Sequence, residues 1–312
     1  MDEPVTDVLA DVLEAMRLTT LMHGRFELGA PWGVRFSESP GAHIVVIARG
    51  GARLEVDGVE GGVALSAGDV ALLPHGEGHA LRDAEGSPLY ILGQGECRRA
   101  RGAGPIRLGG HGARTTLVAG HFQLGAPTRT LLFEGLPRVI HVAADDPVTA
   151  SSLAPSVQLL IAESAWSSPG ASVVMSRLAD ILLVQALRTL IAGDLCREHG
   201  LRALADPQIG RALSLIHGKP AEPWTVESLA TAVALSRSGF AARFSTLVGE
   251  PPLEYLARWR MTKAAQLLRE SALSLSEVAE AIGYQSEASF IRAFKRWGGI
   301  APGAYRRNHR HG

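Results

Sequence analysis

Apolar residues recur along this chain in two rhythms, a short one that fills the middle and a longer one that closes it. After an opening helix of about residues 5 to 17, residues 23 to 142 carry brief apolar runs: His43–Ala48, Ala52–Val56, Val70–Leu73, Leu89–Leu92, Thr116–Ala119 and Thr130–Phe133. Bounded by Gly, Pro, Asp or Ser, such runs predict the strands of an antiparallel β sandwich or barrel. The spacing then lengthens to that of helices over residues 151–166 and 171–193, parted by Pro169-Gly170. In the second of these, Val174, Leu178, Ile181, Leu182, Gln185 and Leu190 line one side, and apolar residues also occupy other faces. That distribution predicts a helix packed on the strands and on a partner at once.

Beyond a looser segment, 193–207, a helix runs from Asp206 to about His217, and the chain then states one pattern twice. Leu229-Ala230, Ala234-Leu235, Phe240, Phe244, Gly249, Pro252 and Tyr255 are answered by Val278-Ala279, Gly283-Tyr284, Phe290, Phe294, Gly299, Pro302 and Tyr305. The offset is 50 residues from the first Phe onward and 49 before it, so the second turn is one residue longer. Each copy reads as a short helix, a tight turn at a small residue, and a second helix with Phe at i and i+4 on its buried face. This is the layout of a helix-turn-helix, whose second helix enters the major groove of DNA. Two copies are too few to stack the continuous core of a solenoid. Thr225 and Ser274 stand where they cap the first helices, the latter in a capping box with Glu277. Leu253–Glu270 reads as one long helix between the copies, with Leu256, Trp259, Arg260, Ala264, Leu267 and Leu268 along one side.

The 312 residues suffice for two domains, and the net charge of zero hides an asymmetry. From Asp206 onward there are 14 Lys+Arg against 9 Asp+Glu, and before it 17 against 22. The basic end is the repeated end, as a partner of a polyanion requires. Only Cys97 and Cys196 are present, outside any metal-ligand spacing, which fits a reducing compartment. The acidic, amphipathic start lacks the basic and apolar run of a secretion signal. The most apolar stretch, Val173–Ile191, holds Arg177, Asp180, Gln185 and Arg188, so no membrane span and a cytoplasmic protein are expected.

Over residues 206 to 307, Trp224–Ala230, Ser236–Phe244, Gly249–Leu256, Arg258–Met261, Gly283–Phe290 and Ala301–Arg306 closely resemble the DNA-binding domain of the AraC/XylS family of bacterial transcription regulators. Two turns, a rod and the closing Pro-x-x-Tyr-Arg agree in order and spacing. The first 200 residues look like the cupin-type sensor half of one branch of that family. Gly68-Asp69, Pro74, Gly76 and His79 follow the second cupin motif, whereas the first is reduced to His43, without His-x-His and a following Glu. The fold class implied is α+β in two domains. One is a cupin-like antiparallel β-barrel with flanking helices over 1–200, which senses and dimerises. The other, over 206–312, is an all-α domain with two helix-turn-helix units joined by a long helix.

The resemblance implies two heads on one face of the duplex, about one turn or roughly 34 Å apart. By motif position the base-facing residues are Ser238, Ala241 and Ala242 in the first head and Glu287, Ala288, Ile291 and Arg292 in the second. Arg292 has the donors for guanine O6 and N7, and Glu287 the acceptor for cytosine N4. Many relatives carry long polar side chains where this chain has Ala241 and Ala242, and alanine reads nothing by hydrogen bond. Site choice then leans on the second head, with Arg237, Arg243 and helix N-termini holding the first to phosphates. Arg237, Arg243, Lys295 and Arg296 are equally at home on an ordinary solvated face. Phe240, Phe244, Phe290, Phe294, Trp259 and Trp297 are packing residues.

Among His43, His75, His79, His111 and His121, the motif positions make His43 and His79 the candidates to line an effector site or to ligate a metal. Too few ligands survive in the first motif for an assigned metal, and no cofactor or catalytic residue is expected. Phe26 and Ala119 stand where some members of this branch carry reactive cysteines, while Cys97, beside Arg98, Arg99 and Arg101, is either activated or inert. The function implied is a cytoplasmic, sequence-specific transcription regulator and activator, not an enzyme. Its expected partners are double-stranded promoter DNA, a small-molecule effector, RNA polymerase and a second copy met through helix 171–193. A cupin metalloenzyme fused to a DNA-binding domain and a sequence-indifferent architectural protein are the competing readings.

Overall fold

The computed structural model describes residues 7–16, 19–92, 104–123, 135–165, 168–192 and 201–309. Cys97 with its neighbouring arginines, Cys196 and the run expected at Thr130–Phe133 lie outside them. Among the described residues, those from 19 to 123 and from 136 to 192 form one compact unit, and those from 7 to 16 and 201 to 309 the other.

The first unit is built on two sheets. One contains β1 (Thr19–Gly29), β3 (Ala42–Arg49), β6 (Val70–Leu73), β9 (Ile106–Gly109), β10 (Arg114–Gln123) and β11 (Ile140–Val142), in the order β11-β6-β3-β10-β1-β9. The other contains β2 (Gly33–Phe36), β4 (Gly51–Val56), β5 (Val63–Ser66), β7 (His79–Arg82) and β8 (Tyr90–Leu92), in the order β5-β4-β7-β2-β8. The closed, wholly antiparallel barrel expected from the sequence is thus corrected to two sheets in which β1 pairs β9, and β2 pairs β8, in parallel. The chain crosses from one sheet to the other at Gly50, whose φ of +79° and close approach to the Arg114 carbonyl only glycine tolerates.

Period-2 alternation sorts the side chains. Phe26 and Leu28 of β1, Val45 and Ile47 of β3 and Leu117 and Ala119 of β10 point into the core, where they meet Trp32, Val34 and Phe36. Arg25, Glu27 and Thr116 alternate with them. Two helices follow, α2 (Pro147–Ser164) and α3 (Ala171–Ala192), packed on each other, and α3 also packs on β1. The Thr20 hydroxyl donates to the Asp180 carboxylate. Its buried seam is Ala179, Leu182, Leu183, Ala186, Leu187 and Leu190, a stripe of three-and-four spacing. The stripe expected from the sequence is corrected in part, because Val174 and Ile181 are exposed, at 44% and 46%.

The second unit is helical. Helix α1 (Val8–Met16) packs here, on α5 (Pro207–Gly218) and α8 (Pro252–Glu270), although the sequence division set it in the sensor half. Asp11 of α1 lies 3.4 Å from Nδ1 of the buried His217, whose ring stacks on Trp259 with centroids 3.7 Å apart. Between α5 and α8 come α6 (Val226–Ala232) and α7 (Arg237–Val248), and beyond α8 come α9 (Leu275–Ala281), α10 (Glu287–Gly298) and α11 (Pro302–His309). A short helix α4 (Leu201–Ala205) precedes α5.

Candidate nucleic-acid interface

The four phenylalanines of the repeat organise both heads. Phe240, Phe244, Phe290 and Phe294 are fully buried, each stabilising the fold by roughly 2–3 kcal/mol of transfer free energy. Phe244 meets Tyr255 edge-on at 5.8 Å, and Phe294 meets Tyr305 in the same way at 5.3 Å, so the repeat in the sequence is a repeat in packing. Helix α8 serves both heads: Leu256 and Trp259 in its first half are buried, and Met261, Ala264, Ala265 and Leu268 belong to the second head's core. Its 19 residues span about 28 Å, close to one turn of duplex.

Each turn needs a residue with positive φ. Gly283 (φ +79°) supplies it in the second head, and a Cβ there would stand 2.5 Å from the Ala221 carbonyl oxygen. In the first head the same conformation is held by Ala234 at φ +56°, the one non-glycine among the described residues with positive φ. Ser236 and Ser286 cap α7 and α10, accepting from the Gly239 and Ser289 amides. The capping of α6 by Thr225 and the Ser274–Glu277 capping box of α9 are as the sequence predicted.

Of the residues named from the sequence, Ser238 and Ala242 on α7 and Ala288, Arg292 and Lys295 on α10 lie on the side away from the phenylalanines, while Arg237 and Glu287, in the first turns, stand three and seven residues ahead of the buried pairs. Arg237, Ser238 and Ala242 on α7 are exposed, as are Glu287, Ala288, Arg292, Lys295 and Arg296 on α10, while Ala241 and Ile291 are half-buried. Ala288, Arg292 and Lys295 follow one another at i, i+4 and i+7, a single row opposite Phe290 and Phe294. Ile291 leans into the second head's core. Arg243 is engaged already: its Nε and Nη2 donate to one oxygen of Asp206 at 3.0 and 2.5 Å. Sequence spacing carried no signal for this pair, because 37 residues separate the partners.

In the sheet unit, His43, His79 and His121 do come together, joined by His23, and all four are buried. The His43 ring lies 4.9 Å from that of His79 and 6.2 Å from that of His121, and His121 Nδ1 is 3.2 Å from His23 Nε2. Ser39 Oγ is 3.0 Å from His43 Nε2, and His79 Nδ1 donates to the Glu77 carbonyl. Burial, reinforced by the neighbouring imidazoles, pushes His43 down to about 3, and burial pushes His79 down to about 4, so both rings are neutral at physiological pH. His75 instead donates to the Leu136 carbonyl, and His111 is exposed. Among the described residues no three His, Cys, Asp or Glu side chains are disposed to hold a metal ion. His23 escaped sequence reading because it precedes the first cupin motif and owes its place to the pairing of β1 with β10.

A sheet-built half followed by two capped helix-turn-helix heads on a common rod is the build of a DNA-binding transcription regulator. The Cupin family pattern matches residues 7–192, and the helix-turn-helix domain pattern matches residues 229–308. A putative AraC-like transcription regulator of Streptomyces lividans is 36% identical over 304 residues, covering 97% of this chain and 98% of its own. The HTH-type transcriptional regulator AlkR of Acinetobacter baylyi is 34% identical over 247 residues, 77% of this chain and 79% of its own. The RCS-specific HTH-type transcriptional activator RclR of Escherichia coli is 31% identical over 251 residues, 75% of this chain and 87% of its own. The chain belongs to the AraC-like family of transcription regulators. Among its described residues no helix is long and apolar enough to cross a membrane.

Proposed function

We propose that this regulator chooses its sites chiefly through the second head, with Arg292 donating to guanine and Glu287 accepting from cytosine. The observation that carries this reading is the exposed row Ala288, Arg292, Lys295 on a helix whose other side is locked by Phe290 and Phe294. Ser238, Ala241 and Ala242 face bases in the first head, where the two alanines read nothing by hydrogen bond, and Arg237, Lys295 and Arg296 meet phosphates. Arg243 reaches a phosphate only by exchanging its Asp206 partner for it.

The protein acts in the cytoplasm on double-stranded promoter DNA as an activator that engages RNA polymerase, and it has no catalytic activity of its own. That the similar RclR is named an activator supports the direction of control. An effector sensed by the cupin-like half, near His43 and His79, shifts the heads between competent and incompetent states by binding one state more tightly. The exposed Val174 and Ile181, seven residues apart on α3, support association of two copies through that helix.

Selection of bound sites from a random duplex pool, repeated with Arg292→Ala, tests the reading. The wild-type protein yields one strong consensus, and the variant loses it at a guanine position; an unchanged consensus refutes the assignment of Arg292.

A further inference from the structure

The outer face of the six-stranded sheet holds a cleft of about 420 Å³ that none of the chemistry above uses. It is built where β1, β10 and β3 run side by side, with Glu27 paired to Thr116 across one strand gap and Thr116 to Arg49 across the next. Arg25, Arg49 and Arg114 line it together with Glu27, the one acidic residue of the lining, and Ile161 of α2 adds an apolar side chain.

The charges there do not balance. Glu27 is already shared, accepting from Arg25 at 3.3 Å and from Arg107, outside the cleft, at 3.0 Å. Arg49 and Arg114 form no ion pair among the described residues. A guanidinium does not give up its proton in water, so the cleft retains an excess of positive charge with donors arranged in planar forks. Such forks match carboxylate oxygens two at a time. A cavity of this size suits a small molecule, and the Ile161 side chain favours one with an apolar body.

We propose that this cleft binds a small organic carboxylate, with the carboxylate on Arg49 and Arg114 and the apolar part against Ile161. The site lies on the face of the sheet opposite the core that shelters Phe26 and Leu117. It bridges the sheet to α2, which packs on α3, and binding there would bear on the helical layer of the sensor unit.

Calorimetric titration of the full-length protein with benzoate, hydrocinnamate and citrate, and with benzamide and inorganic phosphate as controls, tests this without DNA. At least one carboxylate is expected to bind at millimolar concentration or below while benzamide does not. The double variant Arg49→Gln, Arg114→Gln should weaken that binding by about tenfold or more, the cost of losing charge-assisted hydrogen bonds, with its melting temperature unchanged in the absence of ligand. Should the double variant fail to fold, Arg114→Gln alone decides by the same measure. Absence of carboxylate binding, equal binding by the variant, or equal binding of phosphate would each overturn the proposal. None of these outcomes touches the reading of DNA by Arg292.

Discussion

Arg243, exposed on α7, donates both Nε and Nη2 to the Asp206 oxygen that is not occupied in capping α5. The other oxygen accepts from the Gln208 and Ile209 amides at 3.0 and 2.9 Å. Burial alone would raise the Asp206 carboxyl, but the Ile209 amide, Arg243 and the Gln208 amide together hold it below the usual range. One side chain therefore starts a helix and parks a cation. Asp206→Ala removes both contacts and should lower unfolding stability by about 1–2 kcal/mol in urea titration. Asp206→Asn retains a capping oxygen and should cost less than half of that, since a partly exposed ion pair contributes little. A larger loss with Asn than with Ala would contradict the capping role.

The two turns respond in opposite directions to the same pair of residues. Gly283→Ala forces a Cβ to within 2.5 Å of the Ala221 carbonyl oxygen at a φ of +79°, and should destabilise the second head by about 1–3 kcal/mol. Ala234→Gly relieves a left-handed alanine at φ +56° and should be neutral or stabilising by up to about 1 kcal/mol, because glycine's extra unfolded freedom offsets part of the gain. Thermal unfolding of the two variants side by side checks the signs.

Phosphate and base contacts separate by their dependence on salt. Lys295→Ala should weaken specific and random duplex alike and reduce the slope of log affinity against log salt by about 1. Arg292→Ala should instead cost about 1–3 kcal/mol on the preferred site and far less on random duplex. Fluorescence anisotropy across a salt series distinguishes them, and a uniform effect from both would remove the distinction drawn between the two side chains.

The neutral histidines make the sheet unit sensitive to acid. His43 and His79 titrate near 3 and 4 when folded and near 6.5 when not, so below 6.5 the unfolded chain binds more protons. Stability is complete above that value and falls as pH drops from 6.5 toward 4, by about 1.4 kcal/mol per pH unit for each ring. Calorimetry between those limits should show this decline, and His79→Phe, which keeps an aromatic ring beside Phe36, should reduce its slope by about half. A profile unaffected by the substitution would mean that other groups govern the acid limit.

What could be read along the chain was whatever repeats within a few residues or copies itself whole. Paired phenylalanines, capping serines and turn glycines act through neighbours at fixed separations, so the two heads, their shared rod and the exposed row on α10 were legible before any coordinates. Contacts between distant segments left no such trace. The union of His23 with His121 across 98 residues, the grip of Asp206 on Arg243 and the seating of α1 against His217 arise only when strands pair and helices pack. The same holds for the cleft of Arg25, Arg49 and Arg114, whose members share a sheet face only through the register of three strands. Local chemistry dictates which elements form, whereas burial, by choosing which of their faces meet, determines which charges and rings become neighbours.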